Sequence, residues 1–177
     1  MPETLSSKKI YKGRTFDVRI DEIREDELTY EREIVVHKGS AVIVPLFDDG
    51  TIALVRQYRH ATGKYLLESP AGSLEEGEDP LAGAIRELEE EIGVTAATVE
   101  KLSEFYVSPG FLTEKMYLYL ATGLTETAQD LDDDERIDIV RMPLIEAVAQ
   151  CHSGAIEDAK TIIGLLSAEP KIGNART

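Results

Sequence analysis

The chain has 177 residues, 42% hydrophobic and 30% charged, which suits one folded domain and excludes a disordered or low-complexity chain. Nineteen Lys and Arg stand against 34 Asp and Glu, and the net charge of −15 argues against nucleic acid or an anionic membrane as partner, because phosphate binding needs a positive field. The single cysteine, Cys151, cannot form an internal disulfide, and no run approaches the ~18 apolar residues of a membrane span or the core of a signal peptide, so a soluble cytoplasmic protein is expected.

Read in chain order, the first forty residues suggest short strands at Ile10-Tyr11, Phe16 to Ile23 and Tyr30 to His37. Ala41 to Phe47 is an apolar strand, Asp48-Asp49-Gly50 a turn, and Thr51 to Tyr58 a second strand, a pattern that predicts a hairpin. Tyr65 to Glu68 is a further short strand. Asp79-Pro80 opens a helix, since aspartate is a good N-cap and proline suits the first helical position. That helix should run to Ile92 and stop at Gly93, whose missing Cβ suits a left-handed cap. Ala97 to Tyr106, Lys115 to Thr122 and Ile137 to Met142 read as strands. Pro143 starts a helical region, Ser153 to Ser167 continues it as a second helix, and the tail from Pro170 should fray. Strands first, a central helix and helices last indicate an α+β fold. Cys151-His152 lacks a nucleophile motif, so a catalytic thiol is not expected.

The chemistry concentrates between Gly72 and Val94. Leu81, Ala84, Ile85, Leu88 and Ile92 form one apolar helical stripe. Glu87, Glu90 and Glu91 share another face at i, i+3 and i+4. Two readings fit these carboxylates: a solvated acidic face, or hard oxygen ligands for Mg²⁺ or Mn²⁺. Against the first, acidic groups near a helix C-terminus oppose the macrodipole, and like charges at i,i+4 repel. Arg86 fits either a simple i,i+4 pair with Glu90 or a clamp on several glutamates. Gly83 inside the helix costs ~1 kcal/mol relative to alanine.

Gly72, five residues, Glu78, seven residues, then Arg86-Glu87-Leu88-x-Glu90-Glu91-x-Gly93-Val94 resembles the Nudix box, and the likeness extends from about Ile34 to Ile139. The resemblance implies an α/β/α sandwich with a mixed sheet, the box forming a loop–helix–loop, and cleavage of a diphosphate linked to another moiety. It implies that Glu87, Glu90 and Glu91 hold metal, that the carbonyl of Ala71 joins them, that Glu78 lies close by, and that Arg86 holds the glutamates in place. Val55-Arg56-Gln57-Tyr58-Arg59, Leu67-Glu68-Ser69-Pro70-Ala71-Gly72 and Tyr106-Val107-Ser108-Pro109-Gly110-Phe111-Leu112-Thr113-Glu114 are similar to the ADP-ribose pyrophosphatase group, with Pro109 as its marker beyond the box. Ser69 departs from it, standing where the group has an aliphatic residue.

By the same resemblance Arg32, Arg56 and Arg59 face the substrate, Arg59 on the diphosphate, while Arg59 also reads as a surface arginine. Phe16 is either an adenine-stacking ring or a core phenylalanine. In the run Asp132-Asp133-Asp134-Glu135, the residues alone suggest a solvated loop. The resemblance makes Glu135 a metal-adjacent ligand and Asp133 a candidate base. Glu114, Glu135 and a box glutamate such as Glu90 are the other candidates for the base. The implied activity is Mg²⁺-dependent hydrolysis of ADP-ribose to AMP and ribose 5-phosphate. Hydrolysis of another nucleoside diphosphate sugar or dinucleotide is the alternative. A non-catalytic ADP-ribose-binding regulator would be expected to carry a damaged box, and this box is intact. Residues 1–39 are expected to form a small antiparallel sheet that makes a homodimer, followed by a hydrolase domain over 40–170 and a tail over 171–177.

Overall fold

The computed structural model describes residues 1–131 and 136–174. Its strands are β1 (Glu3–Lys12), β2 (Asp17–Glu25), β3 (Leu28–Val36), β4 (Ser40–Pro45), β5 (Thr51–Arg59), β6 (Lys64–Glu68), β7 (Ala71–Ser73), β8 (Val94–Tyr106), β9 (Lys115–Glu126) and β10 (Ile137–Pro143). Its helices are α1 (Pro80–Glu87), continued by a π-helical turn over Leu88–Ile92, then α2 (Leu144–Ser153) and α3 (Ala159–Asn174). No helix among the described residues is long and apolar enough to cross a membrane.

The chain divides into two compact units, Met1–Gly39 with Phe105–Met116, and Ser40–Glu104 with Tyr117–Thr177. In the first, β1, β2 and β3 form an antiparallel sheet in that order. β1 is exposed along its whole length, so the sequence shows only its Ile10-Tyr11 end as strand and not the stretch from Glu3 to Lys9. Polar cross-strand pairs border it instead, among them Ser7 donating to Asp21 at 2.6 Å and the Lys9–Asp17 ion pair. The segment carrying Pro109 joins this unit through Val35, whose N–H donates to the Phe111 carbonyl at 2.7 Å.

The second unit holds two sheets, β10-β5-β6 and β7-β4-β9-β8. Its core shows why β4 reads as an unbroken apolar run. Ala41 and Ile43 pack with Ala84, Leu88 and Ile92 of the central helix, while Val42 and Val44 are equally buried and Val44 lies close to Gly164 of α3. Helices therefore cover β4 on both faces, as in an α/β/α sandwich.

Three expectations change. β4 and β5 do not make a hairpin ladder. After the isolated bridge between Leu46 and Ile52 they part into different sheets, because β4 is paired by β7 and β9 and β5 by β10 and β6. The helix predicted from Pro80 to Ile92 switches from α to π geometry at Leu88. The last helix begins at Ala159, not Ser153, and runs through the exposed Pro170 to Asn174. Asp158 sets its start, accepting from the Thr161 N–H at 3.0 Å.

Candidate active site

The central helix is launched as its sequence demands. Asp79 accepts from the N–H groups of Leu81 and Ala82 at 3.0 and 3.2 Å, and Pro80 follows it. The helix ends at Gly93, with φ of 68°. Between these caps the π turn shifts the register of the last carboxylates, a distortion that recurs at functional sites.

Arg86 is the hub. Its Nε donates to Glu78 at 3.1 Å, and its Nη1 donates to Glu87 at 2.7 Å and to Glu90 at 2.8 Å. Both sequence readings of Arg86 hold together, since the i,i+4 pair with Glu90 is one arm of a larger clamp. The hydrogen bond from Arg86 holds the Glu78 carboxyl below its ordinary value, and the same bond raises the arginine's own pKa. Glu91 is buried at 3% exposure and accepts from the Ala71 N–H at 3.0 Å. Gln129 pins the backbone beneath it, donating to the Glu91 carbonyl at 2.6 Å.

Two glycines make room for this cluster. A Cβ on Gly72 would fall 1.8 Å from a Glu87 carboxylate oxygen, so the Ala71–Gly72 backbone and that carboxylate share one place. A Cβ on Gly83 would meet Leu74 at 2.8 Å and Glu78 at 3.2 Å. The helical glycine that propensity disfavours is thus the contact at which Glu78 folds against α1.

Among the described residues, no three carboxylate, histidine or cysteine groups stand assembled as a metal site. The spacing argument expected Glu87, Glu90 and Glu91 to converge. Instead Glu87 and Glu90 turn to Arg86, and Glu91 turns to Ala71. The donor chemistry nevertheless suits a hard divalent cation, because three carboxylates and the backbone beside Gly72 lie on one short stretch of fold.

The other expected residues fall as follows. Arg59 extends from the end of β5 and is held by Glu68, its Nε donating at 2.7 Å and its Nη2 at 2.8 Å. It lies near enough to Glu91 for that charge to help raise its pKa, behind the larger contribution of the Glu68 hydrogen bond. Arg56 lies over the Tyr65 ring at 4.3 Å and 3.6 Å from Asp138. In the other unit, Arg32 lies over Tyr30 at 4.2 Å. Phe16 is 44% exposed beside Tyr11, so it is not a core residue. Pro109 sits in the turn where Phe111 donates back to the Ser108 carbonyl at 3.2 Å. Glu114 is half-buried, 3.6 Å from the His37 Nδ1. Asp133 and Glu135 lie outside the described residues. Burial pushes the Cys151 thiol up, away from the thiolate form.

A family model for the NUDIX domain matches residues 37–163. The chain belongs to the Nudix family. Among relatives of this Nudix protein, the Bacillus subtilis ADP-ribose pyrophosphatase is 36% identical, the match covering 90% of this chain and 88% of that one. A Bacillus methanolicus protein named methanol dehydrogenase activator is 39% identical over 92% of this chain and 90% of its own. A solved structure described as an ADP compounds hydrolase shares the fold, with a TM-score of 0.84, 24% identity and coverage of 99% and 97%. The Nudix box explains Glu78, Arg86 and the three following glutamates. It leaves unexplained the buried carboxylate of Glu68, to which the sequence assigned no role, and its second cation, Lys160. The available signal was Asp158 three residues before Thr161, which marks a helix start and so places Lys160 in the first turn of α3.

Proposed function

We propose that this Nudix protein hydrolyses the diphosphate of ADP-ribose to AMP and ribose 5-phosphate with Mg²⁺ or Mn²⁺ as cofactor. The observation that carries this reading is the Arg86 clamp on Glu78, Glu87 and Glu90 beside the Glu91–Ala71 contact. The likeness to a named ADP-ribose pyrophosphatase over nine-tenths of the chain supports the substrate.

Glu87, Glu90, Glu91, the Ala71 carbonyl and Glu135 would hold the cation. When bound there, it supplies positive charge for the diphosphate oxygens and makes water easier to deprotonate. The chain's own residues do the rest. Arg86 keeps the carboxylates from spreading under mutual repulsion. A carboxylate base, with Glu114, Asp133, Glu135 and Glu90 as candidates, takes the proton of the attacking water. The water oxygen bonds to one phosphorus, and the bridging P–O bond breaks with its electron pair on the departing phosphate. Arg59, with Arg32 and Arg56, offsets the field of a chain carrying −15 for a substrate that is itself anionic. Phe16 and Pro109 would line the nucleoside end.

The same reading includes a cytoplasmic homodimer, built by residues 1–39, with a hydrolase domain over 40–170. Leu5, Ile10, Tyr11 and Leu28 of the first unit are exposed apolar groups that a second copy would cover. Light scattering after size exclusion should give twice the chain mass, and a single-chain mass at micromolar concentration removes the dimer. The substrate is tested by kcat/KM for ADP-ribose, GDP-mannose, NADH and dATP. ADP-ribose should lead, and a tenfold preference for any other would replace it.

A further inference from the structure

Glu68 ends β6 with a side chain 1% exposed, and two cations meet it. Arg59 approaches as a fork, through Nε and Nη2. Lys160, itself 10% exposed, donates to the oxygen that Nη2 also uses. Lys160 donates in addition to Asp158 at 3.0 Å. The other Asp158 oxygen accepts from the Thr161 N–H and hydroxyl, and that hydroxyl accepts from the Ser69 N–H at 2.6 Å. One network therefore ties the start of α3 to the end of β6 and then to Arg59.

The geometry decides what such a network can do. Glu68 pairs across the ladder with Val55, four residues before Arg59, so the arginine side chain runs back along its strand to reach it. The fork fixes the guanidinium plane and leaves Nη1, with its two N–H groups, outside the grip. Arg59 is 39% exposed, whereas its holder is buried. If Glu68 had Arg59 alone, the two charges would cancel as a closed pair. Lys160 draws on the same carboxylate, so more of the Arg59 charge remains for a ligand at its outer edge.

We propose that Lys160 is a positioning residue for diphosphate binding, acting through Glu68 to aim and charge Arg59. This rests on the reading in which Arg59 contacts the diphosphate, and a double-mutant cycle separates the two ideas. KM and kcat for ADP-ribose with Mg²⁺ are measured for Lys160→Met, Arg59→Ala and the double variant, with thermal unfolding alongside. Lys160→Met should raise KM about tenfold with little change in kcat, as loss of uniform binding does. On the Arg59→Ala background the same change should be nearly silent. Lys160→Arg, which keeps the cation, should restore most of the affinity.

An equal rise in KM on both backgrounds, or none in a folded Lys160→Met protein, overturns the proposal. If Arg59→Ala leaves KM unchanged, the contact of Arg59 with the diphosphate is wrong, and the proposal falls with it. If the wild type prefers GDP-mannose, only the substrate reading fails, and the cycle run on GDP-mannose still decides Lys160. Should Lys160→Met not fold, Lys160→Gln, which also removes the cation but keeps a polar end, takes its place in the same cycle with the same two outcomes.

Discussion

Two charge clusters lie in the second unit, and the groups at their centres carry opposite charge. In one, a single cation, Arg86, serves three carboxylates. In the other, one buried carboxylate, Glu68, meets two cations, of which Lys160 also pairs with Asp158. The first leaves an excess of negative charge at a partly exposed place, which suits the arrival of a divalent cation. The second encloses its carboxylate and holds a half-exposed guanidinium in one orientation, which suits an anion. The Nudix box accounts for the first. The second is assembled from three separate elements, β5, β6 and α3. On the proposed reading, the first cluster would serve the metal and the second the diphosphate, so that each sign of charge is restrained by its opposite.

The largest effect should come from emptying the buried cluster. Glu68→Ala leaves Arg59 and Lys160 without their common partner, and breaking a buried pair costs about 3–5 kcal/mol. Denaturant unfolding checks this, and a loss under 1 kcal/mol would make the cluster a surface feature in energetic terms. The box cluster should respond oppositely. Glu91→Gln keeps the shape and an oxygen for the Ala71 N–H, so folding should persist while activity drops by about two orders of magnitude, the scale of a lost electrostatic contact to a transition state. Near-normal turnover in that variant would remove the metal role of Glu91.

A third test uses pH. Burial alone would raise the Glu68 carboxyl, but hydrogen bonds from Arg59 and Lys160 outweigh it and hold the group below its ordinary value. The folded-state pKa is thus lower than the unfolded one, so the unfolded chain binds more protons in the interval between them. This contribution is complete above the unfolded value of about 4.3 and is lost as pH falls through the folded value. Unfolding free energy measured across that range should drop with acid, and Glu68→Gln should flatten the slope. The smallest effect sharpens the boundary of the buried cluster. Among the described residues the buried Ser69 hydroxyl has no hydrogen-bond partner, while the Ser69 N–H is held by Thr161. Ser69→Ala removes the unpaired group and should stabilise the fold by about 1 kcal/mol. Calorimetry would show this as a rise of about 2–4 °C in Tm.

The box and its caps follow from residues close together in the chain. Asp79, Pro80 and Gly93 act locally, through hydrogen bonds and backbone angles that belong to their own few residues, so their roles could be read in order along the chain. Spacing likewise put Arg86 within reach of Glu90. Family likeness named Arg59, but nothing near it in sequence announced Lys160, because that partner lies on a helix a hundred residues later. Only the Ile10-Tyr11 end of β1 is legible in the sequence, because the stability of the rest lies in pairing rather than apolar alternation. The β4–β5 hairpin was misread because periodicity shows that a strand is buried, not which neighbour pairs with it. Gly83 looked like a cost until Glu78 and Leu74 were seen to occupy the space of its absent side chain. In each of these cases tertiary structure decided, because the deciding contact joins groups that only the folded chain brings within a few ångströms.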